Sequence, residues 1–508
     1  MKFLSKAIMG CFLLVLSSAA VKSGKTNRLY VSSFENVLGT SLEIKVLSTT
    51  QRGADLAEDA ALREIDRLSS ILSGYDAKSE FSTFLRSSGV ARKISPELFE
   101  VLQLFDNWRL RTGGALDPSA EVIGRVWKNA ATQRRLPSAA ELDQAVASVK
   151  KLHYRLDNTT KTAVHLDNTP LMLNSFAKSY IISKAAETAF RIADVNAVVV
   201  NIGGDIVVRG NLAEHIQVTD PMAYAENDAP LTRLKVSNMA VATSGNYKRG
   251  FQINNKWYSH IVDPRSGKPA GHIISATVAA PDASEAGALA TAFNVMRPEE
   301  SLKLLSDFPG AEALLITSTG KRLESKGWKK LEAPAGKVSA GGISAATNVS
   351  TENVWDTRYE LAINIQIAKI EGARIHSPFI AVWVEDENKK TVRNLAVWYS
   401  KPKWLNDLRS WHRGNAATYA ASAEKMSSIG SATRPAGKYT LKWDGKDDNG
   451  NLVATGKYTI YIEAAREHGT HQLMSSEMNF DGSAQLLNLK GNVEIAAVSL
   501  DYRKKVLK

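Results

Sequence analysis

The run "APAGKVSAGGISAATN" at residues 333–348 constrains this chain more than any other stretch. Ala, Gly and Ser crowd it, a composition that reads as a linker. It divides 508 residues into two parts, each long enough to bury a core of its own. The patterning changes across it. Before the linker, helical and strand periods alternate; after it, short strand-like runs follow one another between turn signals. The expectation is an α+β domain over residues 34–326, a linker over 333–350, and an antiparallel β-sandwich over 351–508.

In the first part, "QRGADLAEDAALREIDRLSSIL" repeats apolar residues at helical spacing, which predicts a helix over 51–72. Residues 95–112 open on Ser95 with Glu97 and Glu100 in the first turns, the pattern of a capped helix. A third helix is predicted over 177–193. "FENVLGTSLEIKVL" (34–47) alternates as a strand beside a glycine turn, and "NAVVVNIGGDIVVRG" gives two apolar strand runs broken by a glycine pair. The layout expected is helices covering a mixed sheet. In the second part, "YELAINIQIAKI", "PFIAVWVED", "RNLAVWY", "GKYTLKWDG" and "GKYTIYIEAA" alternate or are rich in β-formers, with turns such as "DDNGN" and "ATGK" between them. Six of the ten tryptophans lie here, and their natural use is as core and rim aromatics.

The N-terminus begins "MKFLSKAIMGCFLLVLSSAA": a positive start, a short apolar run and small residues at 18–20. That is the form of an export signal over residues 1–20, too short for a comfortable membrane span. "IMGC" resembles a lipoprotein box, but the apolar run continues past Cys11. Cleavage after Ala20 removes this one cysteine, so disulfides, a thiol nucleophile and a cysteine metal site are excluded from the mature chain. The expected location is the periplasm. The formal charge of +12 favours anionic partners. The basic residues occur only in short clusters such as Arg134-Arg135, which fits a solvated surface and no nucleic-acid partner.

Three constellations could carry chemistry. In "NIGGDIVVRG", Gly203 and Gly204 admit close backbone approach, and Asp205 follows at a strand end. In "AVATSGNYKRG", Thr243, Ser244 and Gly245 could present hydroxyls and amides to a phosphate. In "YSHIVDPRSGKP", Pro264 fixes φ and Gly267 permits a positive φ, so a tight turn aims His260 and Asp263. Taken singly, these read equally well as a bulge, a capped turn and a surface turn.

In this order, together with "VLGTSLEIKV", "LSGYDAKSEFSTF", "GGALDPS", "FAKSY" and "EAGALATAF", they resemble the ApbE family of FAD:protein FMN transferases from about residue 34 to 326. The resemblance implies an exported enzyme that cleaves the FAD pyrophosphate. It joins FMN through a phosphoester to a threonine or serine of another exported protein and releases AMP. It implies His260 as base for the acceptor hydroxyl, with Asp263 orienting it. It implies a FAD cleft lined by Gly39, Thr40, Ser73, Tyr75, Asp117, Lys178, Gly203, Gly204, Asp205, Thr243, Ser244, Gly245 and His260. It further implies a Mg²⁺ site that includes Thr291.

The metal motif departs from the family pattern. Ala-Asp-Ala-Leu-Ala-Thr is here "AGALAT", so Gly287 stands where the aspartate belongs, four residues and one helix face from Thr291. Glu285 could replace it only from a frayed turn ahead of the helix. The lysine motif "AKSYIIS" has Ser179 at the usual glycine and Ser183 at the usual aspartate, and Met172 replaces another aspartate. Mg²⁺ wants charged oxygen, so the departures leave open a FAD-binding protein without catalysis, or a FAD pyrophosphatase. Raised Mg²⁺-dependent turnover is expected of Gly287→Asp.

In the second part, "SATRPAGKYTLKWDGKDDNGNLVATGKYTIYIEAAREHGTHQ" resembles exported domains of unknown function and an immunoglobulin-like module of flagellar hook-capping proteins. Its aspartates do not have EF-hand spacing, and His468 and His471 lack an evident third ligand. "GGISAAT", ending at Thr347, and "SSIGSAT", ending at Thr433, resemble flavin-acceptor strings without their leading aspartate, which makes each a candidate self-acceptor.

Overall fold

The computed structural model describes residues 26–333 except 248, and residues 354–505 except 371–376, 400–401, 420–425, 427–428, 432, 435 and 468. The expected export signal, most of the linker, Thr347 and His468 lie outside the described residues.

The first domain is built on an eight-stranded sheet. Its strands are β1 (Arg28–Val37), β2 (Thr40–Ser48), β3 (Val195–Ile202), β4 (Asp205–Gly210), β5 (Ala240–Gly245), β6 (Ile273–Ala280), β7 (Glu312–Thr317) and β8 (Arg322–Glu324), side by side in chain order. Every neighbouring pair is antiparallel, which corrects the expected mixed sheet. Helical segments between strands read as crossovers, but here they are excursions that leave and re-enter the sheet at the same end. The 34–47 run is likewise two strands. Leu38 and Gly39, at φ 50° and 76°, turn the chain between β1 and β2.

Three helices cover one face: α1 (Gln51–Leu72), α2 (Ala177–Phe190) and α3 (Ala283–Val295). α1 starts where predicted because the Thr50 hydroxyl accepts from the Gly53 N–H. Ala54, Ala57 and Ala61 of α1 and Ala185, Ala186 and Ala189 of α2 are buried, and their small side chains let the helices approach closely. α3 is buried almost all round, including Gly287 and Asn294. Strand alternation sorts the sheet: Val198, Val200 and Ile202 face the helices, while Val199 and Val208 join a smaller core around Trp328 on the opposite face.

The second domain has two packed sheets, as expected. One orders Gly437–Trp443, Tyr359–Ile367, Ile495–Lys504 and Gln485–Lys490; the other orders Gly430–Ser431, Thr391–Trp398, Phe379–Glu385, Gly456–Ala465 and His471–Phe480. All pairs are antiparallel except the two-residue bridge of Gly430–Ser431. Trp355, Trp443, Phe480 and Tyr502 pack ring to ring in its core, with Trp355 4.8 Å from Trp443 and Phe480 4.9 Å from Tyr502. A helix over Arg409–Tyr419, absent from the all-strand expectation, packs Trp411 against the outer face of the second sheet.

A loop of the first domain grips the sandwich. The Asn227 side chain donates to the Lys442 carbonyl at 2.8 Å and accepts from its N–H at 2.9 Å, and the Glu226 N–H donates to the Thr440 carbonyl at 2.8 Å. Asp228 pairs with the Lys442 ammonium, and Tyr224 bonds Glu360. These contacts cover the exposed edge of strand Gly437–Trp443, an edge that would otherwise invite a foreign strand.

Candidate functional site

The candidate site is assembled at the ends of β2 to β5, beside α2 and α3. Gly203 and Gly204, at φ 59° and 94°, make the two-residue turn between β3 and β4. Gly203 donates its N–H to the Ser41 carbonyl at 3.0 Å, and a Cβ there would stand 2.8 Å from the Thr40 methyl. Close approach as well as φ therefore requires glycine, and Gly39, Thr40, Gly203 and Gly204 form one corner.

Asp205 is buried just past this turn. Its Oδ2 lies 3.3 Å from the Lys178 ammonium and accepts from the Ser179 hydroxyl at 3.1 Å. Burial pushes the Asp205 carboxyl above the usual carboxylate range, against the pull of Lys178, Ser179 and the Thr243 N–H. The Lys178 side chain is a third exposed, so its ammonium can meet a ligand while it holds Asp205.

From Thr243 the contacts run onward along β5. The Thr243 hydroxyl pairs with that of Thr277 at 2.9 Å, and the Ser244 carbonyl accepts from Asn294 of α3 at 2.6 Å. After Gly245, the Asn246 amide donates to the Ala270 and Ile273 carbonyls at 3.1 and 3.0 Å. Ala270 in turn donates to the Ile261 carbonyl, which ties the His260 loop to the end of β5.

His260 follows a hairpin of strands Gly250–Ile253 and Lys256–Ser259. Its Nδ1 faces the Arg249 carbonyl at 3.0 Å, so in the neutral ring Nδ1–H donates there and Nε2 keeps the lone pair. Surrounding protein desolvates the ring and lowers its pKa, although part of it remains exposed. Both features suit a base at neutral pH.

The turn after it forms as read: Gly267 has φ 72°, and the Asp263 carbonyl accepts from the Ser266 and Gly267 N–H groups. Asp263, however, does not orient His260. Its carboxylate takes a two-pronged contact from Arg265, at 2.9 and 3.1 Å. Asp117 is also turned inward: Arg109 lies 2.9 Å from its Oδ2, and the Ser119 N–H and hydroxyl bond its Oδ1. In both cases a nearby arginine takes the carboxylate, and the side chain helps shape its loop. Ser73 is likewise used locally, its hydroxyl accepting from the Tyr75 and Asp76 N–H groups. Tyr75 is 79% exposed and accepts from Asn174 at 2.6 Å, beside the segment leading into α2.

The metal corner has a different outcome. Thr291 donates its hydroxyl to the Ser175 carbonyl at 2.9 Å. A Cβ at Gly287 would stand 2.3 Å from the Ser179 Oγ and 2.9 Å from the Ser179 Cβ. α3 is not frayed: Asp282 caps it by accepting from the Glu285 N–H at 2.8 Å. Glu285 instead lines a separate hollow of about 280 Å³ with Ser183, Lys184 and Asp282. Among the described residues, no group of three or more His, Cys, Asp or Glu side chains is placed to hold a metal ion. The residues present do not fit Mg²⁺.

Sequence reading passed over Asn294 and Asn246 as site-builders. Asn294 was visible as a lone amide in an otherwise apolar helical run; Asn246 gave no signal beyond its place in "SGNY". In the sandwich, Thr433 is buried, 2% exposed, and His471 contacts Glu463 at 2.6 Å. No helix among the described residues is long and apolar enough to cross a membrane.

Comparison with known proteins follows this division. A model of the ApbE family matches residues 38–315. A second model, DUF2271, described as a predicted periplasmic protein, matches residues 360–497. The FAD:protein FMN transferase of Treponema pallidum is 26% identical over 332 residues, covering 61% of this chain and 90% of that protein. That of Haemophilus influenzae is 25% identical over 320 residues, covering 59% and 90%. The ApbE protein of Thermotoga maritima superposes with a TM-score of 0.54 at 26% identity, over 60% of this chain and all of that one. Flavin transferase ApbE from Vibrio cholerae shares the fold, with a TM-score of 0.51 at 22% identity over 60% of this chain and all of that one.

Proposed function

The chain belongs to the ApbE family, and from that premise we propose that it is a periplasmic FAD:protein FMN transferase. What supports the reading is the chain of contacts that links three backbone devices, from Asp205 to the Thr243 N–H and from Asn246 through Ala270 to the loop of His260. The devices are the Gly203–Gly204 turn, the Thr243–Gly245 strand end, and the loop presenting His260 with Nε2 unprotonated. The cleft takes FAD, with Tyr75 at its exposed lip and Lys178 toward the phosphates. The acceptor is a threonine or serine of an exported protein. Its hydroxyl proton passes to Nε2 of His260. The hydroxyl oxygen bonds to the phosphorus on the FMN side of the pyrophosphate. The bond from that phosphorus to the bridging oxygen breaks, and AMP leaves with the electron pair. No step is assigned to Mg²⁺.

The experiment is incubation of the full chain with FAD and a peptide carrying the Asp-x-x-Ser/Thr-Gly/Ser-Ala-Thr pattern, read by intact mass and by released AMP. An FMN adduct on the peptide with equimolar AMP is expected. Bound, intact FAD would favour a second reading, a flavin-binding protein without catalysis, supported by the way Ser179 fills the space that a side chain at position 287 would need. Free FMN with AMP would instead mean a pyrophosphatase. The same mass measurement addresses self-acceptance. Thr433 would have to leave the sandwich interior before its hydroxyl could react, and Thr347 is the other candidate.

A further inference from the structure

Two departures that look independent in sequence are one event in space. Ser179 stands at the second residue of α2 after Ala177, and Gly287 at the middle of α3. The Ser179 side chain occupies the volume into which any side chain at 287 would extend. Rotating the hydroxyl away removes the 2.3 Å conflict but not the one at 2.9 Å, which is with the Ser179 Cβ, nor the tight 3.4 Å approach of the Phe176 Cβ. The two positions cannot both carry a side chain without movement of one helix. The Ser179 hydroxyl is also engaged, donating to Asp205, which is salt-bridged to Lys178. Thr291 is engaged too, its hydroxyl donating to the Ser175 carbonyl.

We propose that Ser179 and Gly287 are a coupled replacement that closes the divalent-cation corner of this cleft. A hydroxyl fills the space of a carboxylate, and Lys178, a third exposed, is a positive charge that can face an anionic ligand. This rests on the flavin-transferase reading only for the identity of that anion. It also changes the consequence of Gly287→Asp. Alone, that substitution forces an aspartate against Ser179, while Ser179→Gly/Gly287→Asp makes room for it.

The test is Mn²⁺ binding to the full chain, followed by electron paramagnetic resonance, with melting temperature and FAD fluorescence quenching recorded in EDTA. The unaltered chain is expected to show only weak Mn²⁺ uptake that Thr291→Val does not change. Gly287→Asp alone is expected to melt several degrees lower with little gain in Mn²⁺ affinity. The double variant is expected to regain the melting temperature and to bind one Mn²⁺ at least about tenfold more tightly, a gain that Thr291→Val removes. Any of three results overturns the proposal: a Thr291-dependent Mn²⁺ site in the unaltered chain, equal gain in the single and double variants, or a folded double variant without a site. If the double variant does not fold, the Thr291→Val comparison in the unaltered background decides. Failure of the unaltered chain to quench with FAD would count against the flavin reading and leave the Mn²⁺ result intact.

Discussion

Asp205 in the first domain and Glu463 in the second are both buried carboxylates, and their surroundings differ in a way that separates a site from a scaffold. Glu463 is fully enclosed. Its two oxygens accept from the Ser410 and Trp411 N–H groups at 2.8 Å each, and His471 contacts it at 2.6 Å. It caps the start of helix Arg409–Tyr419 and pins that helix to the sheet. Asp205 is held by Lys178, Ser179 and the Thr243 N–H, and the ammonium that partners it is itself a third exposed. One carboxylate has its acceptor capacity consumed by the fold. The other is buried beside a partly exposed ammonium, and burial disfavours its charged form.

The largest effect that would sharpen this division belongs to the cleft. His260→Asn keeps a donor toward the Arg249 carbonyl but removes the base, so FMN transfer should fall by about 10²- to 10⁴-fold with FAD binding retained. The pH dependence has a definite sign. Desolvation lowers the folded pKa of His260 below its ordinary 6.5. The neutral, reactive ring is therefore present down to below that value, and kcat/KM should rise on the acid side with an apparent pKa under 6.5. Between the two pKa values the unfolded chain binds more protons, so this group's contribution to stability also rises with pH. A rate profile unchanged in the His260→Asn variant would move the base elsewhere.

Next in size is Glu463→Ala, which leaves one buried and one half-buried N–H group, of Trp411 and Ser410, without their acceptor. A loss of about 3 kcal/mol from the sandwich is expected in denaturant unfolding, with FAD binding unaltered. A matching loss of FAD binding would break the comparison, because it would make the buried carboxylate of the second domain part of the site.

Asp205→Asn should do the reverse. Transfer falls by roughly tenfold as Lys178 loses its anchor, while stability near pH 7 is held or raised. The folded pKa of Asp205 lies above its ordinary 3.8. Between those values the native state holds more protons than the unfolded one, so stability falls as pH rises through the window. Asparagine removes that slope. Unfolding curves of both proteins from pH 4 to pH 7 should therefore diverge in favour of the variant as pH rises.

Much of this was legible in sequence, for local reasons. The helix at 51–72 is set by its own period and by Thr50, and the Gly203–Gly204 turn by glycines that tolerate positive φ. Strand direction was not legible, because a helical excursion and a crossover share one pattern. The arginine partners of Asp117 and Asp263 were not legible either: each finds its arginine within a short stretch of chain, Arg109 and Arg265, and residue type alone does not say which way a carboxylate turns. Ser179 and Gly287 were each visible as departures. Their mutual exclusion was not, since it exists only where α2 crosses α3.

The smallest effect concerns whether the two carboxylate environments belong to one body. Asn227 meets both main-chain groups of Lys442, replacing the partner strand that the sandwich edge lacks. Burial, and after it the charge of Asp220 in the same loop, raises the pKa of Tyr247, two residues after Gly245. Asn227→Ala removes two hydrogen bonds at a part-buried seam, a cost of about 1–2 kcal/mol in coupling between the domains. Calorimetry should then resolve two unfolding transitions where the unaltered chain shows one, with FAD affinity changed less than about threefold. If the unaltered chain already melts in two steps, the seam does not couple the domains, and the sandwich is tethered to the flavin domain without being fixed to it.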